Sequence, residues 1–322
     1  MTNLQTVSST SPPTAPPMST ASASSTGPVV KSTFLSAGVA CAATLRVPAG
    51  EAPPSGWPAI LMVHGWGGTQ DALTPNFYRR FNAAGFAVLT FDYPGWGDSA
   101  GWPRHHIWAS GRVRNADDAL AHLKSLPQMD KRRIVLWGTS LGGGHVVDLA
   151  AAHPELLGAI AQVPMLDGQA AALANPPARM LRFFLCALAD VLRPGGRFYV
   201  PIVAPRGQFA TMERDGAFDT IERAQAELGQ RYHNVITASS TLSMGLYRPF
   251  KRLGNIRVPT LLIGGLRDTV APFVEKKVRA VNNDCLRIAT LDVNHFEPYW
   301  DAPFEKNIEL QLRFLNDLAH GA

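Results

Sequence analysis

From Pro58 onward, short apolar runs alternate with stretches of helical spacing. That alternation restricts the chain to a mostly parallel sheet with helices on both faces. PAILMV (58–63) is continuously apolar, as expected of a strand covered on both sides. A helical stretch over 73–84 follows and ends at Gly85, then comes the strand FAVLTF (86–91). VRNADDALAHLKSL (113–126) sets Val113, Ala116, Leu120 and Leu123 on one helical stripe. RIVLW (133–137), LGAIAQVPM (157–165), VPTLLIGG (258–265) and LRIATLDV (286–293) read as further strands. HVVDLAAAHP, APFVEKKVRAV and FEKNIELQLRFLNDL read as helices, and residues 32–47 as opening antiparallel strands.

The alternation breaks after Asp167. Residues 168–254 hold apolar helical pieces interrupted by Pro-Gly-Gly and by Pro201 and Pro205, and read as a helical lid inserted after the sixth strand. The α/β core is then 31–167 together with 255–322. Residues 1–30 differ again: rich in Ser, Thr, Pro and Ala, they bury too little apolar surface to offset ordering entropy and are expected to be a disordered tail. This tail lacks the basic and apolar regions of a secretory signal and the arginines of a transit peptide, so a cytoplasmic location is expected. The three cysteines, odd in number and far apart, fit a reducing compartment. No apolar run reaches the ~18 residues of a membrane span.

Charge is unevenly placed. Eleven Lys/Arg against six Asp/Glu between residues 168 and 254 account for the whole net charge of +5. Two readings follow: the solvated face of arginine-rich helices, or a surface drawing acidic or polar substrates. No basic run is interleaved with aromatics, which gives nucleic-acid binding no support.

The chemistry centres on IVLWGTSLGGG (134–144). A serine hydroxyl attacks only with a neighbouring base, an acid orienting that base, and donors for the oxyanion. Ser140 sits between a strand and a helix in Gly138-Thr139-Ser140-Leu141-Gly142, the context of a nucleophile elbow. Side chains at positions 138 and 142 would collide across so tight a turn. Gly143 and Gly144 allow the following helix to approach the sheet. Asp268 and His295 follow strands toward the C-terminus, in the order serine, acid, histidine. Both fall at the strand ends where open α/β sheets bind ligands. Asp167 also follows a strand and is the rival acid; its other role would be to cap the next helix. The Leu141 amide is one expected oxyanion donor and the Trp66 amide, in His64-Gly65-Trp66-Gly67-Gly68, is the other. An exposed Trp66 side chain would wall the acyl pocket.

Other histidines and glycines carry less. His64 precedes the nucleophile and ends a strand, so its expected task is hydrogen-bonding the oxyanion loop. His105 and His106 are placed at the site entrance, with no Asp, Glu or Cys nearby to complete a metal set. Gly95–Ala100 formally matches a dinucleotide fingerprint, but Gly-Trp-Pro follows where a helix is needed. No lysine follows Gly143, which excludes a phosphate loop. Asp92 and Asp98 are assigned to their turn. No cofactor and no metal are expected.

HGWGG, FDYPGWGDS, GTSLGG, GLRDTVAP and NHFEPY, in that order, resemble the α/β-hydrolase superfamily over about residues 31–322. Within it the chain is similar to dienelactone-hydrolase-like, acetyl-xylan-esterase-like and X-Pro-dipeptidyl-peptidase-like members. The resemblance implies a mostly parallel eight-stranded sheet, often with a lid after strand 6, a Ser140–Asp268–His295 triad, and oxyanion donors at Trp66 and Leu141. Dienelactone hydrolases proper use cysteine where this chain has Ser140. YPGWG lacks the arginine that many relatives carry before the first glycine. The expected activity is hydrolysis of a carboxylic ester, or a related acyl compound, through an acyl-enzyme. Peptidase, thioesterase and acyltransferase chemistry uses the same parts, and a non-catalytic small-molecule binder is the alternative of another class. Haloalkane dehalogenases and epoxide hydrolases use an aspartate in place of Ser140. The expected partner is a small acyl substrate; the oligomeric state stays open, a homodimer included.

Overall fold

The computed structural model describes residues 26–193, 197–229 and 232–320. Its centre is a sheet in the order β1-β2-β4-β3-β5-β6-β9-β10, formed by β1 (Thr26–Ser36), β2 (Val39–Pro48), β3 (Trp57–Val63), β4 (Ala87–Phe91), β5 (Met129–Thr139), β6 (Gly158–Gln162), β9 (Thr260–Gly265) and β10 (Leu286–Leu291). β1–β2 and β2–β4 pair antiparallel; every other neighbouring pair is parallel. This is the expected mostly parallel eight-stranded sheet.

β3 shows why an all-apolar strand belongs at the centre. Ala59, Leu61 and Val63 face one core cluster, while Ile60 and Met62 face the other. The first cluster is closed by α2 (Gly111–Ser125) and α3 (Leu141–Ala152), through Ala116, Leu120, Val146 and Val147. The second is closed by α1 (Pro75–Ala83) and α9 (Asp301–His320), through Phe77, Phe81, Ile308 and Phe314.

Between β6 and β9, residues 168–254 contribute α4 (Gly168–Leu173), α5 (Pro177–Leu192), β7 (Tyr199–Val200), α6 (Ala217–Leu228), β8 (Ile236–Thr237) and α7 (Ser240–Met244). β7 and β8 form a small antiparallel pair outside the main sheet. A 3-10 turn over Pro249–Asn255 leads back to β9.

Two boundaries differ from expectation. β1 starts at Thr26, so residues 26–30, placed in the tail by composition, belong to the sheet, where Val29 pairs with Arg46. Over these residues the strand is held by backbone pairing with β2, with Val29 and Val30 exposed; its apolar anchor, Phe34, comes later. The tail over 1–25 lies outside the described residues. The helix expected over APFVEKKVRAV is only α8 (Glu275–Arg279), because Val274 before it leaves the helical region at φ −92° and ψ 87°. No helix among the described residues is long and apolar enough to cross a membrane.

Candidate active site

β5 ends in a turn that forces Ser140 into an uncommon backbone state, φ 57° and ψ −125°. Three bonds hold it there. The Ser140 amide donates to the Gln162 carbonyl (3.0 Å), and its carbonyl accepts from Met165 (2.9 Å) and Gly144 (3.2 Å). The glycines around it are required by contact. A Cβ on Gly138 would meet the Gly142 carbonyl oxygen at 2.4 Å, and one on Gly142 would meet the Val63 oxygen at 2.1 Å. Gly144 packs its backbone against Met165, which follows β6.

Asp268, after β9, and His295, after β10, converge on this turn. His295 Nε2 lies 2.9 Å from Ser140 Oγ, and His295 Nδ1 lies 2.6 Å from Asp268 Oδ2. All three residues are buried. Asp268 Oδ1 accepts from the Val270 and Ala271 amides, each at 2.8 Å, which fixes the carboxylate. A hydroxyl bonded to an imidazole that is bonded to a carboxylate can lose its proton to the ring. Asp167 is elsewhere: its Oδ1 accepts from the Ala170 amide as the cap of α4, and its Oδ2 pairs with Arg248.

The loop after β3 runs directly past the serine, since a Cβ on Gly65 would sit 2.9 Å from Ser140 Cβ. Trp66 is half-buried rather than exposed; its indole N–H donates to Thr211 Oγ1 (3.0 Å). A Cβ on Gly67 would meet Ile202. The loop is therefore held from the 168–254 segment. His64 contributes little hydrogen bonding, its one ring contact to this loop being 3.4 Å to the Gly65 carbonyl. It packs edge-on to Tyr93, and burial, helped by Arg112, pushes its pKa down to about 3. At neutral pH this ring is uncharged.

Ser140, Trp66 and Leu141 line a cavity of about 280 Å3. Met165 lines it from the core, and Met180, Phe183, Phe184 and Met244 from the 168–254 segment. Of the aromatics that segment supplies, Phe198, Tyr199 and Phe209 are not in the lining: Phe209 packs at a tilt against Phe183, and the Tyr199 hydroxyl donates to the Arg104 carbonyl. Nor do His105 and His106 stand at the entrance. His106 Nδ1 bonds Thr237 Oγ1 in β8, and His105 packs edge-on to Trp96. Their loop is consumed in supporting the β7–β8 pair.

The turn after β4 is held as its aspartate suggested. Asp92 accepts from the Gln70 and Asp98 amides. Arg104 braces the same turn, donating to the carbonyls of Ser99 (2.5 Å) and Gly97 (2.7 Å). Two residues escaped sequence reasoning: Arg214 and Asn175, both in the cavity wall. Neither lies in a motif; only the basic surplus of residues 168–254 hinted at the first. Among the described residues no group of three His, Cys, Asp or Glu side chains could hold a metal ion.

Residues 57–285 match a family model described as serine aminopeptidase, S33. The chain is 34% identical over 285 residues to the quorum-quenching protein AidA of Acinetobacter baumannii (strain MDR-ZJ06), covering 88% of this chain and 92% of that one. It is 25% identical over 242 residues to a thiohydrolase of Eupenicillium brefeldianum, covering 69% and 73%. Among solved structures it is similar in fold to the α/β-hydrolase GrgF of Penicillium sp. sh18, with a TM-score of 0.73 at 22% identity, over 90% of this chain and 98% of that one.

Proposed function

The chain belongs to the serine aminopeptidase, S33, family of α/β-hydrolases, and on that footing we propose that it cleaves a carboxylic ester or related acyl compound through an acyl-enzyme on Ser140. One observation carries the reading: the unbroken hydrogen-bond line from Asp268 through His295 to Ser140 Oγ. His295 Nε2 takes the hydroxyl proton as Ser140 attacks the carbonyl carbon. Asp268 keeps Nδ1 protonated, leaving Nε2 free to accept, and offsets the charge of the imidazolium. The Leu141 and Trp66 amides receive the oxyanion; the close pass of Gly65 against Ser140 supports that assignment. His295 then protonates the leaving group, and water activated by the same ring releases the acid. Residues 168–254 act as the lid over the acyl group.

Ester or thioester cleavage fits the cavity better than aminopeptidase chemistry. An α-ammonium group calls for a carboxylate partner, whereas Arg214 is the one charged residue among the described lining residues. A relative named thiohydrolase favours thioesters as the second reading. A fluorophosphonate probe should label Ser140, and Ser140→Ala should abolish turnover of p-nitrophenyl butyrate and of butyryl thioesters. Labelling elsewhere, or undiminished turnover in Ser140→Ala, would reject the assignment; the ratio of the two rates selects between oxyester and thioester.

A further inference from the structure

Arg214 interrupts a cavity wall that is otherwise built largely from Met, Phe, Leu, Ala and Val. A guanidinium in such a place is expensive unless its charge is met. Here it is met only partly. Glu213 is the nearest carboxylate, but its Oε2 is engaged by Arg179 Nη1 and its Oε1 by the Gly207 amide. Arg214 Nη1 reaches Oε2 no closer than 3.9 Å. Two guanidiniums thus share one carboxylate, and Arg214 gets the smaller share. Arg214's acidity agrees with this: burial first, then the Arg179 charge, lowers its pKa, and Glu213 opposes the shift less than Arg179 promotes it.

The side chain is nevertheless fixed. Nη1 donates to the Glu213 carbonyl (3.1 Å) and Nη2 to Asn175 Oδ1 (2.8 Å). Asn175 is itself pinned, its Nδ2 donating to the carbonyls of Ala171 and Ala172 at the end of α4. Among the described residues, Nε–H and one N–H on each terminal nitrogen make no hydrogen bond. The result is an oriented donor fork, a quarter exposed, sharing one cavity with Ser140.

We propose that Arg214 binds a carboxylate carried by the substrate, so that the preferred substrates are monoanionic esters or thioesters rather than neutral ones. This rests on Ser140 being the nucleophile. The carboxylate either terminates the acyl chain, as in a half-ester of a dicarboxylic acid, or belongs to the leaving alcohol. Arg214 is in this view a specificity-determining residue, with Asn175 positioning it.

The test compares matched pairs. Mono-p-nitrophenyl adipate against p-nitrophenyl hexanoate places the charge on the acyl side; 6-acetoxyhexanoate against hexyl acetate places it on the alcohol side. Wild-type protein should favour the charged member of one pair in kcat/KM, chiefly through KM. In Arg214→Met that preference should fall at least tenfold, Arg214→Lys should restore part of it, and Asn175→Ala should lie between. Added salt should weaken the wild-type preference. Fluorophosphonate labelling of Ser140 in each variant reports a folded site, and Arg214→Gln replaces Arg214→Met should the latter not fold. A wild-type preference for the neutral member of both pairs overturns the proposal, as does a ratio that Arg214→Met leaves in place. If wild-type Ser140 is not labelled and no ester turns over, the serine-hydrolase reading itself fails; labelling with ratios independent of Arg214 sinks only the carboxylate site.

Discussion

Asp268→Asn exchanges one oxygen for an NH2 on a group whose two oxygens have different tasks. Oδ1 receives two backbone N–H groups at 2.8 Å, and Oδ2 receives His295 Nδ1 at 2.6 Å. The asparagine has one oxygen to place. Turning its NH2 toward the Val270 and Ala271 amides would leave buried donors unpaired, at about 1–3 kcal/mol each. The oxygen therefore stays with the amides and the NH2 faces His295 Nδ1. That ring must then accept at Nδ1 and carry its hydrogen on Nε2, directed at Ser140 Oγ, so it cannot take the serine proton. The expected loss in kcat is about 10³–10⁴, roughly 4–5.5 kcal/mol of transition-state stabilisation. Steady-state hydrolysis of a p-nitrophenyl ester measures it, with KM nearly constant and thermal stability little altered, because the same two backbone bonds remain. Asp167→Asn, whose carboxylate caps α4 and pairs with Arg248, should cost less than about threefold. A loss under tenfold for Asp268→Asn, or a larger one for Asp167→Asn, would refute this account of the acid.

Three other outcomes follow from the geometry. Gly142→Ala drives a Cβ to 2.1 Å from the Val63 carbonyl and 2.6 Å from that of His64, both backbone, and should destabilise by about 3 kcal/mol or more in urea unfolding; a change under about 1 kcal/mol would contradict the packing. His64 and His145, pushed down to about 3 by burial and then by Arg112, bind protons in the unfolded chain near pH 6.5 but not in the folded one until near 3. Stability should be full above about pH 6.5 and decline toward pH 4.5 by about 1.4 kcal/mol per pH unit for each ring, read as falling urea midpoints; a flat profile over that window is the contrary result. Trp66→Phe removes the indole N–H bonded to Thr211 and should lower kcat about three- to tenfold with KM little changed, whereas a pure KM effect would assign Trp66 to substrate contact alone.

The sheet was readable because β3, β6, β9 and the second half of β5, from Ile134, are buried on both faces, which leaves runs such as Ala59–Val63 with no polar interruption. Ser140, Asp268 and His295 were readable because each falls at a strand end, where topology rather than side-chain detail brings them together. Residues 26–30 were misplaced because edge-strand pairing uses backbone groups, which composition does not report. Arg104 and Arg214 were invisible because neither belongs to a motif: Arg104 folds back on carbonyls five and seven positions earlier, and Arg214 bonds Asn175 across 39 positions.

The contact between His295 Nε2 and Ser140 Oγ spans 155 positions of chain. A ribosome releases the serine, its glycines and the strand beneath them long before the histidine exists. If His295 is the base proposed above, the growing chain carries a shaped but unarmed turn through much of its synthesis, and its chemical competence arrives with β10 and the residues just after it. On the proposed function, hydrolytic activity is in this sense a late certificate of assembly: a molecule that turns over its substrate has already paired its last edge strand, β10, with β9.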